Sequence, residues 1–204
     1  MIENVKWLGH STFRIDGSRT VYFDPWQLGK NPRPADLILI THPHYDHCSP
    51  DDVKKIIGKD TIVVASPDCA DRLPVPVVPL SPGGRTEAGG VLVEAIPAYN
   101  TNKKFHPRSA GWNGYIVTLD GVRIYHAGDT DVIPEMKGLS VDIMLAPVGG
   151  TYTMNADEAA GAAAAVGAKT VIPMHYGAIV GSAADAEALR RRCACEVVIL
   201  SPGE

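Results

Sequence analysis

The heptad Thr41-His42-Pro43-His44-Tyr45-Asp46-His47 constrains this chain more than any other stretch. It follows Leu37-Ile38-Leu39-Ile40, a short apolar run that reads as a buried strand. Three imidazoles and a carboxylate therefore leave the end of a core strand together. Histidine supplies only seven of 204 residues, and three of them lie here. Imidazole nitrogen and carboxylate oxygen are the donors that zinc and similar divalent metals prefer. A tight turn lets His42 and His44 point one way while Asp46 and His47 point to an adjacent position. That arrangement suits two metals a few Å apart, roughly 3.5–4 Å in hydrolytic pairs.

The rest of the chain predicts the frame around that strand end. Val5–Leu8, Thr12–Ile15 and Thr20–Phe23 read as short strands, with a hairpin signal at Asp16-Gly17. Asp24-Pro25 ends the third. Ser49 is placed to cap a helix with Pro50 at its first position and Asp51 and Asp52 at its positive end, and Gly58 is expected to stop it. A strand at Thr61–Ala65 and a turn or short helix at Pro67–Arg72 follow. Pro74, Pro76 and Pro79 suit only an edge strand. Val91–Ile96 reads as a strand, residues 97–112 as a polar loop, and Tyr115–Leu119 and Val122–Tyr125 as a hairpin around Asp120-Gly121. Asp142–Ala146 is the next strand. Asn155 and Glu158 have capping-box spacing before an alanine-rich helix to Val166. A strand at Thr170–Met174, a helix from Ser182 through Arg192 and a last strand at Glu196–Leu200 complete the series. Strands first, then strands alternating with helices, predict an α/β layered sandwich: two mixed β-sheets face to face, helices outside, one domain over residues 1–204.

Composition narrows the functional class. A net charge of −4 and a pI near 6.0 argue against a general nucleic-acid surface. No apolar run has the length of a membrane helix. Met1-Ile2-Glu3-Asn4 lacks a signal-peptide pattern, and Cys48, Cys69, Cys193 and Cys195 form no disulfide framework, so a cytoplasmic protein with reduced thiols is expected. Cys48 follows His47 and is weighed as a metal neighbour, with packing the more ordinary role. A small-molecule substrate is the expected partner, and homo-oligomerisation is left open.

Two further candidates follow strands late in the chain. Asp129, in His126-Ala127-Gly128-Asp129-Thr130, offers two oxygens that could bridge two cations. His175 follows Val171-Ile172-Pro173-Met174. Beside it, Tyr176 could donate a hydrogen bond to substrate. His10 in its Gly-His-Ser turn could face the pocket, and His126 suits an outer or buried position. Lys103, Lys104 and Arg108 could clamp an anionic substrate or simply be solvated.

Gly9-His10-Ser11-Thr12, Asp24-Pro25, the heptad, His126–Thr130 and Pro173-Met174-His175-Tyr176 together resemble the compact, single-domain branch of the metallo-β-lactamase superfamily, which includes the L-ascorbate-6-phosphate lactonase group. The resemblance implies a four-layer αβ/βα fold. It implies one metal at His42 and His44, another at Asp46, His47 and His175, and Asp129 between them. One departure stands out: the family's further histidine for the first metal is replaced by Asn100. Either the loop folds back so that His106 ligates, the favoured alternative, or the first site is short of a ligand. The implied activity is metal-dependent hydrolysis by a metal-bound hydroxide, with Asp46 orienting the nucleophile or moving its proton, and His10, Arg108 and Tyr176 contacting substrate. Up to two divalent metals are expected, zinc first, with manganese, iron or nickel as alternatives. The substrate would be a small, anionic ester, lactone or phosphodiester. A nuclease, or a protein that keeps the site without turnover, are the competing readings.

Overall fold

Alternation within Ala35–Ile40 decides how the layers stack. Leu37 and Leu39 enter one hydrophobic cluster while Ile38 and Ile40 enter another, so this strand is apolar on both faces. Only a strand covered on both sides can carry such a run. The computed structural model describes residues 2–203 and places this strand inside a sheet.

The first sheet is formed by β1 (Val5–Gly9), β2 (Thr12–Asp16), β3 (Thr20–Phe23), β4 (Ala35–Ile40), β5 (Ile57–Ala65) and β6 (Val78–Pro79), in that order. The pairs β1/β2 and β2/β3 are antiparallel, and the pairs from β3 to β6 are parallel. The second sheet is formed by β7 (Arg85–Ala88), β8 (Val91–Pro97), β9 (Asn113–Leu119), β10 (Val122–His126), β11 (Ile143–Pro147), β12 (Thr170–Met174) and β13 (Glu196–Val197), again in chain order. It is antiparallel from β7 to β10 and parallel from β10 to β13. Both sheets are mixed, as expected.

Phe13, Phe23, Leu37 and Leu39 of the first sheet meet Val93, Tyr115 and Val117 of the second in one cluster. Each such side chain is worth about 1.5–3 kcal/mol when fully buried, so the sheets hold each other. Helix α1 (Pro50–Ile56) covers the outer face of the first sheet through Val53 and Ile56. The second sheet is covered by α2 (Ala156–Val166) and α3 (Ala183–Arg192). Ala159, Ala162 and Ala163 are buried, and their small side chains let α2 lie close to the strands. The Asn155–Glu158 capping box closes the start of α2, and Gly167 in the left-handed region closes its end.

Three boundaries differ from expectation by two residues or more. Helix α1 runs straight into β5 at Ile57, because Ile57 pairs with Ala35 ahead of a register shift, so Gly58 is extended and stops nothing. β9 starts two residues early, at Asn113, to pair with Pro97. β13 is cut to Glu196–Val197 because it pairs with the end of one strand only. Among the described residues, no helix is long and apolar enough to cross a membrane.

Candidate metal centre

All but one of the candidate ligands leave the end of a strand, residues 42–47 after β4, Asp129 after β10 and His175 after β12, while His106 lies in the loop between β8 and β9. Two close approaches keep these strand ends together. A Cβ on Gly128, whose φ is +65°, would lie 2.7 Å from the Asn113 carbonyl oxygen, and one on Gly149 would lie 2.5 Å from that of His175. Neither position leaves room for a side chain.

Within the heptad, each imidazole is oriented from behind. Asp24 Oδ2 lies 2.7 Å from His47 Nδ1, and the Thr41 hydroxyl donates to the same carboxylate at 2.7 Å. Its other oxygen accepts the Thr41 N–H at 2.8 Å. Having donated its hydrogen, the Thr41 hydroxyl accepts from His42 Nδ1 at 2.9 Å. Both rings therefore present Nε2 inward. The outer partner fixes which nitrogen keeps its lone pair, which is how ligating histidines are normally prepared.

The inward atoms converge. His42 Nε2 lies 3.0 Å from His44 Nδ1. Asp129 is buried and faces three imidazoles: its Oδ2 lies 3.2 Å from His106 Nε2 and 3.1 Å from His175 Nε2, and its Oδ1 lies 3.4 Å from His47 Nε2. Three groups each hold donor atoms within 4.8 Å of one another: His42, His44 and His106; His42, His47 and Asp129; and His10, Asp46, His47 and His175. His47 Nε2, His106 Nε2 and Asp129 Oδ1 are buried without a hydrogen-bond partner. Buried polar atoms normally find partners, and a divalent cation is a partner that suits imidazoles and carboxylates alike. These residues fit a metal on donor chemistry and on their unmet bonding capacity.

The electrostatics are polarised. Burial opposes the charged form of Asp129, yet His175 and His47 hold its pKa well below the usual carboxylate range. Burial likewise opposes protonation of His47, but Asp129 and Asp24 outweigh it and raise its pKa well above the histidine norm. Burial, reinforced by the neighbouring imidazole of His47, pushes His42 well down. For Asp46, burial is overcome by the hydrogen bond from His10 and the charge of His47, and its pKa falls.

The structure brings His106 to the first histidine group although it lies six residues from Asn100. The Asn100 side-chain oxygen accepts the His106 main-chain N–H at 3.0 Å and lies 3.2 Å from His106 Nδ1. His10 meets Asp46, with Nε2 at 3.0 Å from Oδ2. Its carbonyl accepts both the Trp7 indole N–H and the His175 main-chain N–H, at 2.9 and 3.0 Å. His10, Asp24 and His175 all adopt positive φ, at 50°, 43° and 58°. Such backbone costs roughly 1–3 kcal/mol per residue, and here it gathers where side chains must be aimed. His126 has both ring nitrogens engaged, with the Ser11 carbonyl and the Gly128 N–H, so it braces the aspartate turn.

The cavity lining lends no support to substrate contact by Arg108 or Tyr176, and Cys48 takes the packing role that is the more ordinary one for it. Arg108 lies off the cavity: its guanidinium pairs with Glu135 at 2.9 Å and covers the Tyr99 ring. Tyr176 stacks on Trp7 with ring centroids 4.9 Å apart, and the ligand-lined cavity does not include it. Cys48 packs in the core under α1 near Cys69, outside every donor group. Lys103, proposed alongside Arg108 as a clamp, is taken by Asp131 at 2.6 Å. The orienting roles of Asp24, Thr41 and Asn100 were missed. Asp24 carried a signal, since it ends β3 beside β4 as the ligands end their strands; Asn100 stood out only as a departure from the family pattern, with nothing to name His106 as its partner.

Comparison with known proteins identifies the family. Residues 4–175 match the family model described as the beta-lactamase superfamily domain. A protein of Methanoregula boonei named UPF0173 metal-dependent hydrolase is 37% identical over 221 residues, covering 98% of this chain and 96% of its own. One of the same name from Thermococcus onnurineus is 38% identical over 223 residues, covering 98% and 97%. A solved structure from Parabacteroides distasonis superposes with a TM-score of 0.83 at 34% identity, covering 96% of this chain and 91% of that one. Igni18, a metallo hydrolase from Ignicoccus hospitalis, gives 0.78 at 25% identity, covering 98% and 95%. The chain belongs to the metallo-β-lactamase superfamily.

Proposed function

We propose that this protein is a metal-dependent hydrolase of a small ester, lactone or phosphodiester. The observation that carries the reading is the convergence of His47, His106 and His175 on the buried Asp129 carboxylate, with donor atoms left unsatisfied. The relatives named metal-dependent hydrolases support it.

His42, His44 and His106 would hold one divalent cation, and Asp46, His47 and His175 a second, with Asp129 between them. Bound cations lower the pKa of ligated water and so supply a nucleophile at neutral pH, while stabilising charge that develops on the substrate oxygen. The chain's own residues do the rest. His10 holds Asp46 toward the cavity that Asp46 lines. The Asp46 carboxylate is held ionised by His10 and His47, and its place in the cavity lets it take a proton from the attacking water and pass it to the leaving oxygen. Asp24, Thr41 and Asn100 aim the imidazoles, so no reorganisation is needed at the moment of reaction.

The test has two stages. Elemental analysis of protein purified without chelator should find up to two divalent metals per chain. Metal-loaded protein should then hydrolyse members of a panel of carboxylic esters, lactones and phosphodiesters. Protein that takes up no zinc or manganese, or loaded protein inert toward the whole panel, would end the proposal.

A further inference from the structure

The cavity above the ligand cluster has an apolar mouth. It encloses about 230 Å³, with the candidate ligands on its floor and Tyr45, Phe105, Tyr152 and Ile179 around it. Tyr45, Phe105 and Ile179 are 67%, 48% and 37% exposed, and they are three of the five large hydrophobic side chains exposed among the described residues. Such side chains scattered singly need no explanation, but their gathering at one opening marks a binding surface. They come from three different loops, each close to a candidate ligand: Tyr45 follows His44, Phe105 precedes His106, and Ile179 lies four residues beyond His175. Phe105 stands edge-on to Tyr152, with ring centroids 4.6 Å apart. Tyr45 meets Trp26 edge-on at 6.1 Å. The rim is thus braced by aromatic contacts while its outer faces remain free.

Charge points the same way. Among the described residues, no lysine or arginine lines the cavity. Of the three cations on the loop that carries His106, Lys103 is held by Asp131 and Glu158 and Arg108 by Glu135, while Lys104 is exposed and does not line the cavity. A substrate with an anionic group far from the scissile bond would find no cationic side chain on the cavity wall and would leave that group against apolar side chains. An uncharged, apolar substituent would gain from the same contacts.

We propose that the substrate is an uncharged carboxylic ester or lactone whose apolar acyl or aryl substituent lies against Tyr45, Phe105 and Ile179. This rests on the hydrolase reading above and narrows it, against the anionic substrate that the sequence suggested. In the reaction, the water oxygen bonds to the carbonyl carbon, the acyl carbon–oxygen bond breaks, and a water proton goes to the leaving alkoxide. An acid and an alcohol result, and no oxidant or reductant is required.

Two measurements test it. In the first, straight-chain alkyl hydroxamates from acetyl to octanoyl are titrated into metal-loaded protein by calorimetry. Each fully buried methylene contributes about 0.8 kcal/mol, or about fourfold in affinity. Partial burial at an open rim should give about 2–4-fold per methylene, and Phe105→Ser and Ile179→Ser should flatten that slope with bound metal unchanged by elemental analysis. Because these side chains are exposed, the variants should fold. In the second, p-nitrophenyl esters of the same chain lengths should show a parallel rise in kcat/KM, and bis-p-nitrophenyl phosphate should be the poorer substrate. Hydroxamate affinity independent of chain length, or a slope unmoved in both variants, overturns the apolar-mouth proposal even if esters are cleaved. Chain-dependent binding with no turnover of any substrate instead overturns the hydrolase reading and leaves the mouth's preference for apolar groups standing.

Discussion

One oxygen of Asn100 accepts the main-chain N–H of His106 and lies within 3.2 Å of the same residue's Nδ1. The His106 carbonyl in turn accepts the Asn100 N–H at 2.7 Å. Asn100 therefore fixes both the main chain and the ring of His106, six residues away. Its side-chain NH2 is tied to Asp131 Oδ1 and the Tyr152 carbonyl, which fixes which end of the amide faces His106.

This relationship orders two variants. His106→Ala should empty the site shared with His42 and His44 while the other site stays largely filled. Asn100→Ala should leave the ligand in place but free to turn, lowering affinity at that site by roughly 10–100-fold. Metal titration of both proteins checks the order. Equal affinity in Asn100→Ala and the parent would mean that the hydrogen bonds do not position the ring.

Asp24 should matter to stability as well as to metal. Its carboxylate is fully buried and serves Thr41 twice and His47 once. Asp24→Ala removes the partner of a buried charged cluster, a change typically costing about 3–5 kcal/mol. Urea denaturation of metal-free protein should show that loss as a lower midpoint. A midpoint within experimental error of the parent would show that His47 and Thr41 find other partners.

The parts legible in the sequence are those in which one residue type at one spacing has a single physical use. The apolar run 37–40 had to be covered on both faces, and that alone predicted layers around β4. The dense heptad and the lone residues after β10 and β12 identified which strand ends had to meet. What stayed hidden depends on distance through space. Asp24 is 17 residues from Thr41 and 23 from His47, and nothing local in Asp24-Pro25 names those partners. Arg108 and Lys103 read as free cations because Glu135 and Asp131 lie 27 and 28 residues away. The apolar rim is illegible for another reason: Tyr45 and Phe105 are single apolar residues in polar loops, and only the fold gathers them with Ile179 at one opening.

Proton competition should be visible in metal binding. Burial opposes protonation of His47, but Asp129 and Asp24 outweigh it and raise its pKa well above the ordinary value, which favours the protonated ring in the metal-free protein. A ligating imidazole must be neutral, and metal binding therefore expels that proton. The sign follows: affinity should fall as pH is lowered, by up to about tenfold per unit for one displaced proton, and level off only above the raised His47 pKa. Calorimetry at pH 7 in two buffers of different ionisation enthalpy should find about one proton released. No difference in apparent heat between the buffers would mean that His47 is already neutral.

Asp46 separates metal holding from proton handling. Its carboxylate lines the cavity, accepts from His10 and is kept ionised. Asparagine in its place still offers an oxygen to a cation and can still meet His10, but it cannot take up a proton. Asp46→Asn should therefore keep most of its metal while losing roughly 10²–10⁴ in kcat, the usual worth of a positioned acid–base group. The loss should appear in kcat more than in KM, because the carboxylate is proposed to act on the proton in flight and the apolar rim to hold the substrate. Comparing kcat, KM and metal content of the two proteins on one ester decides it. Activity within a few-fold of the parent would leave Asp46 as a ligand alone, and a parallel loss of metal would mean that charge, not proton transfer, is what the site requires of it.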